Sequence, residues 1–317
     1  MSDGDERGAR TVRSYAFLVN PLSGGGAAPG AVVPVARILR EAGARVDVTY
    51  SPGPRESRGL VEDAVDRGDV VVAVGGDGML SSIAGRVAAL DGTLGIVPAG
   101  RGNDFARMLG LPTSPAAVAD VLLQAPSAPI DLLGLHLDGR EHVVAGSVYC
   151  GVDAVAGRIV DKVRRLPRRA QYPYAAVHAL ATYRPLDLRL VIDGERYDYT
   201  AANVVVANSA YYGSGMRIAP SASVSDGLLD VVVIEAASRR ALIRSLPKVY
   251  DGSHVRLPEV HVLRGTSVEF TGRPALDIGG DGEPLGRLPD AGRQPARVDV
   301  RAGALRVLLP APPPAGR

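Results

Sequence analysis

The sequence predicts two fold classes joined end to end: an N-terminal Rossmann-like three-layer α/β domain and a C-terminal, mainly antiparallel β-sandwich domain. Three observations predict this. As far as residue 128, short apolar runs alternate with amphipathic stretches, the pattern of a parallel sheet with helices on both faces. From Ile130 the apolar runs crowd together around turn signals such as Asp138-Gly139, and helices become few. A last apolar run, Ala304–Leu309, stands apart from the β region as a final strand.

Taken in order, residues 1–13 read as a solvated, disordered tail. The α/β domain spans 14–128, completed by 303–310. Its strands are Tyr15–Val19, Arg45–Tyr50, the run from Val70 to Val74 and Leu94–Val97. Its helices fall at 31–42, 55–67, 80–90 and 115–124. The run from Val70 is apolar and β-branched throughout, as a strand buried on both faces must be. The β-rich domain spans 129–302. Ile130–Leu137 and Glu141–Tyr149 form a hairpin, followed by strands at Leu186–Ile192, Asn203–Ala207, Leu228–Ile234, Val260–Leu263, Ser267–Thr271, Ala275–Ile278 and Arg297–Arg301. Helices are expected near 153–165, 171–183 and 238–250. The Pro-rich residues 311–317 read as a flexible end.

Composition narrows the function classes. The 317 residues are 46% hydrophobic and 22% charged, ordinary for globular chains. Aromatics make up 4% with no Trp, which argues against a reader of nucleic-acid bases by stacking. A net charge of +2 is too balanced for a strong nucleic-acid or anionic-membrane field. The single cysteine, Cys150, lies in an apolar run, excludes an internal disulfide and fits a reducing compartment. No secretory leader and no apolar run long enough to span a bilayer is visible, so a cytoplasmic protein is expected, with any membrane contact peripheral.

The chemistry concentrates in three glycine-rich turns: Asn20–Gly26, Gly75–Gly78 and Pro98–Asp104. Each follows an apolar strand and precedes a helix. Glycine lets a ligand approach the backbone, and the following helix N-termini aim N–H groups at anions. None fits the P-loop pattern, and no Gly-x-Gly-x-x-Gly follows the first strand. Two turns carry carboxylates, Asp77 and Asp104. A bare anion site gains nothing from them, but a phosphate site with Mg2+ does, because carboxylates hold the ion directly or through water. The alternative is structural: Asp77 capping the next helix and Asp104 pinning a loop.

Asn20-Pro21-x-Ser23-Gly24, Gly75-Gly76-Asp77-Gly78, Pro98-Ala99-Gly100-x-Gly102-Asn103-Asp104, Asn208-Ser209, Asp226-Gly227 and Asp281-Gly282-Glu283 occur in this order. The ordered set resembles the diacylglycerol kinase catalytic-domain family, which includes soluble bacterial lipid kinases and is related to the sphingosine kinases. The resemblance covers roughly residues 14–310. It implies an ATP- and Mg2+-dependent kinase that phosphorylates the hydroxyl of diacylglycerol or a related lipid at a membrane surface. ATP would lie against Asn20, Ser23, Gly24, Gly75, Gly76, Asp77, Gly78, Gly100, Arg101, Gly102 and Asn103. Asp77 and Asp104 would join a carboxylate–water–Mg2+ network with Asp131, whose competing reading is a strand-edge Asx turn. Asp281, beside Glu283, matches the general base, and Asp226 matches a separate structural Mg2+ site. The last strand, Ala304–Leu309, would return to the first domain, and the headgroup would lie in the interdomain cleft. Tyr174–Leu180 and Arg164–Arg169 are candidates for a membrane-facing surface, against the more favoured readings of a core helix face and a solvated basic turn. Exposed sheet edges permit a homodimer.

The chain departs from the family continuation Gly-Gly-Asp-Gly-Thr-x-Asn-Glu. Met79, Ser81 and Ser82 replace Thr, Asn and Glu, and Arg101 replaces the Thr of the third turn. Arg101 is a candidate to supply a phosphate-binding charge. An NAD kinase, which shares the Gly-Gly-Asp-Gly turn, and a non-catalytic lipid- or nucleotide-binding protein are the competing functions.

Overall fold

The computed structural model describes residues 13–51, 54–100, 102–163 and 168–310. The tails at 1–12 and 311–317, residues 52–53, Arg101 and residues 164–167 lie outside this set.

The N-terminal half contains β1 (Tyr15–Val19), α1 (Ala28–Glu41), β2 (Val46–Tyr50), α2 (Pro54–Asp66), β3 (Val70–Gly75), α3 (Asp77–Ala89), β4 (Thr93–Pro98), α4 (Asp104–Met108) and α5 (Pro115–Gln124). Its four strands pair in parallel in the order β2-β1-β3-β4. β1 is buried along its whole length, as is β3 up to Gly75, which is why both read as unbroken apolar runs. One face of the sheet packs Phe17, Val72 and Val74 against Val32, Val35, Ala36 and Leu39 of α1. That spacing of three and four puts all four side chains on one helical stripe. The other face packs Leu18, Val71 and Ile96 against Ile83 and Val87 of α3.

The C-terminal half contains β5 (Ser127–Leu137), β6 (Arg140–Val144), β7 (Ser147–Gly151), α6 (Val152–Lys162), α7 (Arg168–Thr182), β8 (Leu186–Ile192), β9 (Glu195–Ala207), β10 (Leu229–Glu235), α8 (Arg239–Asp251), β11 (Val260–Gly265), β12 (Ser267–Arg273), β13 (Asp277–Gly280), β14 (Glu283–Arg287) and β15 (Ala296–Leu308). Within this half, strand pairing is antiparallel throughout. The sandwich core gathers Leu135, Leu190, Val204, Val231, Phe270 and Val298, one from each of six strands. α6, α7 and α8 pack against Ala202, Val205 and Val232, outside that core.

The last strand does return to the first domain, by a different route from the one expected. The two runs Arg297–Arg301 and Ala304–Leu309 form one strand, β15. Its first part pairs with β12, and Arg306 and Val307 pair in parallel with Thr93 and Leu94 of β4. β5 runs antiparallel to it on both sides of a register shift between Arg301 and Leu305. The boundary between the halves therefore crosses two continuous strands, and the sheet is hydrogen-bonded from end to end.

Other expectations shift locally. The single strand Glu141–Tyr149 breaks at Ala145-Gly146 into β6 and β7, because those two amides turn toward a carboxylate. β9 begins at Glu195, eight residues before the expected Asn203 start, because Asp193-Gly194 closes a hairpin with β8. β14 was not expected; it follows the Asp281-Gly282 turn. α3 begins at Asp77, not residue 80. Among the described residues no helix is long and apolar enough to cross a membrane.

Candidate active site

The three glycine-rich turns meet at one sheet edge. Gly24 sits at φ +60°, and a Cβ there would stand 2.5 Å from the Ala99 carbonyl oxygen, so only glycine allows the first turn to touch the third. A Cβ on Gly100 would stand 2.5 Å from Gly76 Cα, which fixes the second turn against the third. The Gly76 N–H donates to Ser23 Oγ (3.3 Å), and the Gly100 N–H donates to Asn103 Oδ1 (2.7 Å). Asn20 Oδ1 accepts from the Leu22 N–H (3.0 Å) and shapes the first turn. Gly102 lies against Asp104 and Ser214. Gly24, Gly25 and Gly26 are successive left-handed residues, a backbone form that can cradle an anion. Every described member of the expected phosphate set is therefore gathered; Arg101 lies outside the described residues.

Asp77 does not cap its own helix. Gly76 holds the N-cap position, and the Asp77 carboxylate reaches across to the first amides of α4, those of Asp104 (3.4 Å) and Phe105 (3.2 Å). Burial and the neighbouring Asp104 carboxylate push Asp77 up to about 6. Asp104 is buried and accepts from the Ser214 (2.7 Å) and Gly215 (2.8 Å) amides of the second half. Burial raises its pKa as well, opposed by those two hydrogen bonds.

Asp281 is anchored in the gap between β6 and β7. Its carboxylate accepts from the amides of Ala145 (2.8 Å), Gly146 (3.0 Å) and Ser147 (2.9 Å), and from the Ser81 hydroxyl of α3. Burial raises its pKa against these donors. Asp77, Asp104 and Asp281 line one cavity of about 160 Å3 with Tyr149, Asp153 and Tyr212. A larger cleft of about 770 Å3 lies along α3, walled by Gly78, Ser82 and Arg86 of that helix and by Gly280 and Glu283; of the three turns only Gly78 reaches it. Glu283 covers the start of α3, since a Cβ on Gly78 would meet its Oε1 at 2.8 Å. Beyond Asp153 and Tyr212 lies a third, apolar cavity of about 100 Å3, lined by Val152, Leu180, Ile218, Leu242 and Leu246 among others.

Asp131 does not line the carboxylate cavity, and neither does Asp226, which the resemblance sets apart from it. The Asp131 carboxylate accepts from the Gly227 (2.8 Å) and Gly303 (2.7 Å) amides, which pins the bulge of β15 at the domain boundary. Asp226 pairs with the Arg264 guanidinium and accepts from the Leu228 N–H (3.2 Å), apart from the Asp77–Asp104 pair. Sequence reasoning missed Ser81, the Ala145–Ser147 amides, the Ser214-Gly215 amides and the Asp153–Tyr212 pair. A signal existed for the last two in Tyr211-Tyr212-Gly213-Ser214-Gly215, a further glycine-rich turn.

Comparison with known proteins fits this geometry. Residues 14–135 match the family model for the diacylglycerol kinase catalytic domain. Residues 146–309 match that for the YegS C-terminal NAD kinase beta sandwich-like domain. A diacylglycerol kinase of Mycobacterium tuberculosis is 36% identical over 98% of this chain and 99% of its own. The chain belongs to the diacylglycerol kinase family. A second family member, the diacylglycerol kinase of Bacillus subtilis, is 26% identical over 72% of this chain and 75% of its own. A diacylglycerol kinase structure from Bacillus anthracis superposes with a TM-score of 0.70 at 19% identity, over 96% of this chain and 98% of that one, and shares the fold. This family member is thus a kinase, and the carboxylate cavity is where its kinase chemistry is sought.

Proposed function

We propose that this kinase transfers the γ-phosphoryl of ATP to the hydroxyl of diacylglycerol or a closely related lipid, giving phosphatidic acid or its equivalent. The order of turns, carboxylate cavity and apolar cavity carries this reading. The second and third glycine-rich turns open on the carboxylate cavity through Asp77 and Asp104. The carboxylate cavity and the apolar cavity have Asp153, Ala156, Tyr172, Tyr212 and Met216 in common. A nucleotide on one side and an apolar tail on the other put phosphate and lipid hydroxyl at the junction. An NAD kinase reading leaves the apolar cavity without a use.

The donor set fits Mg2+. Asp77, Asp104 and Asp281 are hard oxygen ligands, and Asp77 is charged against both of the others. Among the described residues no three acidic, His or Cys side chains stand close enough to hold a metal unaided, which suits an ion that keeps waters and takes phosphate oxygens as ligands. Asp77 and Asp104 would hold it. Once bound, the ion neutralises charge on the phosphate oxygens.

The chain's own residues do the rest. The three turns position the triphosphate through backbone N–H groups, which costs no side-chain reorganisation. Asp281, fixed by its amides and raised by burial, accepts the proton of the lipid hydroxyl as that oxygen bonds to the γ-phosphorus and ADP leaves. The Asp153 carboxylate accepts hydrogen bonds from the Tyr212 hydroxyl (2.5 Å) and the Asn203 amide, forming a rigid polar collar between acceptor site and apolar cavity.

Incubation with γ-labelled ATP, Mg2+ and a panel of diacylglycerol, sphingosine, ceramide and NAD tests the proposal. Label in diacylglycerol is the expected result. Label in NAD alone, or ATP binding with label in none, overturns it.

A further inference from the structure

The lining of the apolar cavity draws attention to what lies on its outer side. α7 and α8 supply Ala176, Leu180, Ala241, Leu242, Leu246 and Val249 to that lining. Their opposite faces differ from each other and from an ordinary surface.

α8 carries Arg240, Arg244 and Lys248 four residues apart, one cationic stripe on an exposed face. Arg239 stands beside it. None of these four has a carboxylate partner among the described residues. Arg239 and Arg240 also occupy the first turn after the Ser238 cap, where the helix dipole disfavours cations.

α7 shows a second anomaly. From Ala170 onward its exposed positions are Ala170, Pro173, Tyr174, Val177, His178, Ala181 and Thr182, with no Asp, Glu, Lys or Arg among them; the side chains of Arg168 and Arg169 at the start of the helix lie outside the described residues. Tyr174 is 48% exposed and Val177 41%, and Tyr250 at the end of α8 is 39% exposed. Large hydrophobics presented to water beside unpaired cations match an interfacial surface, where aromatic and apolar groups enter the headgroup layer and Lys and Arg meet its charge.

We propose that the outer faces of α7 and α8 dock the protein on an anionic lipid bilayer, which leaves the two helices between the apolar cavity and the membrane. This rests on the lipid-kinase reading above, and it gives the balanced net charge of +2 a different meaning: the positive charge is local. The candidate basic stretch beginning at Arg164 is not required, and Tyr174–Leu180 serves both readings set out for it. Ala175, Ala176, Ala179 and Leu180 are buried, while Tyr174 and Val177 face out.

The test is co-sedimentation of the full chain with vesicles of phosphatidylcholine alone, or containing about a third phosphatidylglycerol, at about 0.1 M and about 0.5 M salt. The comparison is the triple variant R240Q/R244Q/K248Q, whose side chains line none of the three cavities. Each cation near an anionic surface is worth about 5-fold in binding, so the triple variant is expected to bind on the order of 100-fold more weakly. The wild-type protein is expected to bind the anionic vesicles and to release them at the higher salt. Equal binding by the two proteins, equal binding to neutral vesicles, or binding of soluble polyglutamate in place of vesicles overturns the proposal. Phosphorylation of a dispersed short-chain diacylglycerol separates the two claims: both proteins are expected to support it equally. If neither does while vesicle binding behaves as described, the kinase substrate assignment falls and the docking face stands.

Discussion

The Ser81 hydroxyl donates to the Asp281 carboxylate, joining residues 200 positions apart across the two halves of the molecule. Ser81 also accepts from the Ala145 N–H (2.8 Å), so one hydroxyl ties α3 to both the carboxylate and the amide gap that holds it. Ser81 stands where the family continuation has Asn. The departure keeps a polar link at this position.

Ser81→Ala removes a hydrogen bond to a charged group, while the Ala145 amide keeps the Asp281 carboxylate as its acceptor. The expected cost is about 2 kcal/mol of stability. If Asp281 acts as the base, loosening it lowers kcat by about 10-fold while KM for ATP changes little. Thermal unfolding and steady-state kinetics check both. An unchanged kcat means the link is only structural.

Gly100→Ala places a methyl group 2.5 Å from Gly76 Cα, backbone against backbone. The turns must separate, with an expected loss of about 2 kcal/mol in stability and about 10-fold in ATP affinity. Gly59→Ala in α2 is the contrasting case, since a Cβ there meets nothing within 4 Å. It is expected to raise stability by about 0.5–1 kcal/mol without changing activity. Unfolding curves and nucleotide titration on the two variants check the pair.

Much of this was legible beforehand. The three turns announced themselves because a glycine backbone close to anions needs those residues, whatever surrounds them. The alternation of β1 to α5 fixed a parallel sheet. The break at Ala145-Gly146 was not legible: Val143 to Tyr149 reads as strand, and only Asp281, more than a hundred residues on, pulls the amides out of line. The partners of Asp131 were not legible for a similar reason: Gly227 and Gly303 come from distant loops. Unity of β15 was hidden by Gly303, which reads as a break and serves as a bulge.

Asp77 gives a pH-dependent stability. Its proton is held more tightly in the fold, at about 6, than at its ordinary 3.8. The resulting stabilisation is complete below 3.8 and is lost as pH rises through about 6. In chelator at about pH 8, Asp77→Asn is therefore expected to be about 2 kcal/mol more stable than wild type, with the gap closing toward pH 4. Saturating Mg2+ should narrow it. Denaturant titrations across pH check this, and a gap independent of pH contradicts it.

Leu246→Trp fills the apolar cavity without touching a carboxylate. Leu246 is partly buried, lines the cavity and packs against both hydrophobic clusters beside it. Long-chain diacylglycerol phosphorylation is expected to fall by about 10-fold or more, with ATP binding preserved. Kinetics on long- and short-chain acceptors check this; an equal loss on both contradicts the assignment of the cavity to the tail.

Asp281→Asn tests the phosphoryl-transfer mechanism most directly. The measurement is kcat for diacylglycerol phosphorylation alongside ATP binding and the unfolding midpoint of the same preparation. Removing the general base should lower kcat by about 100-fold or more, with the protein folded and ATP binding within about 2-fold of wild type. A folded Asp281→Asn protein that keeps its kcat contradicts the role assigned to Asp281.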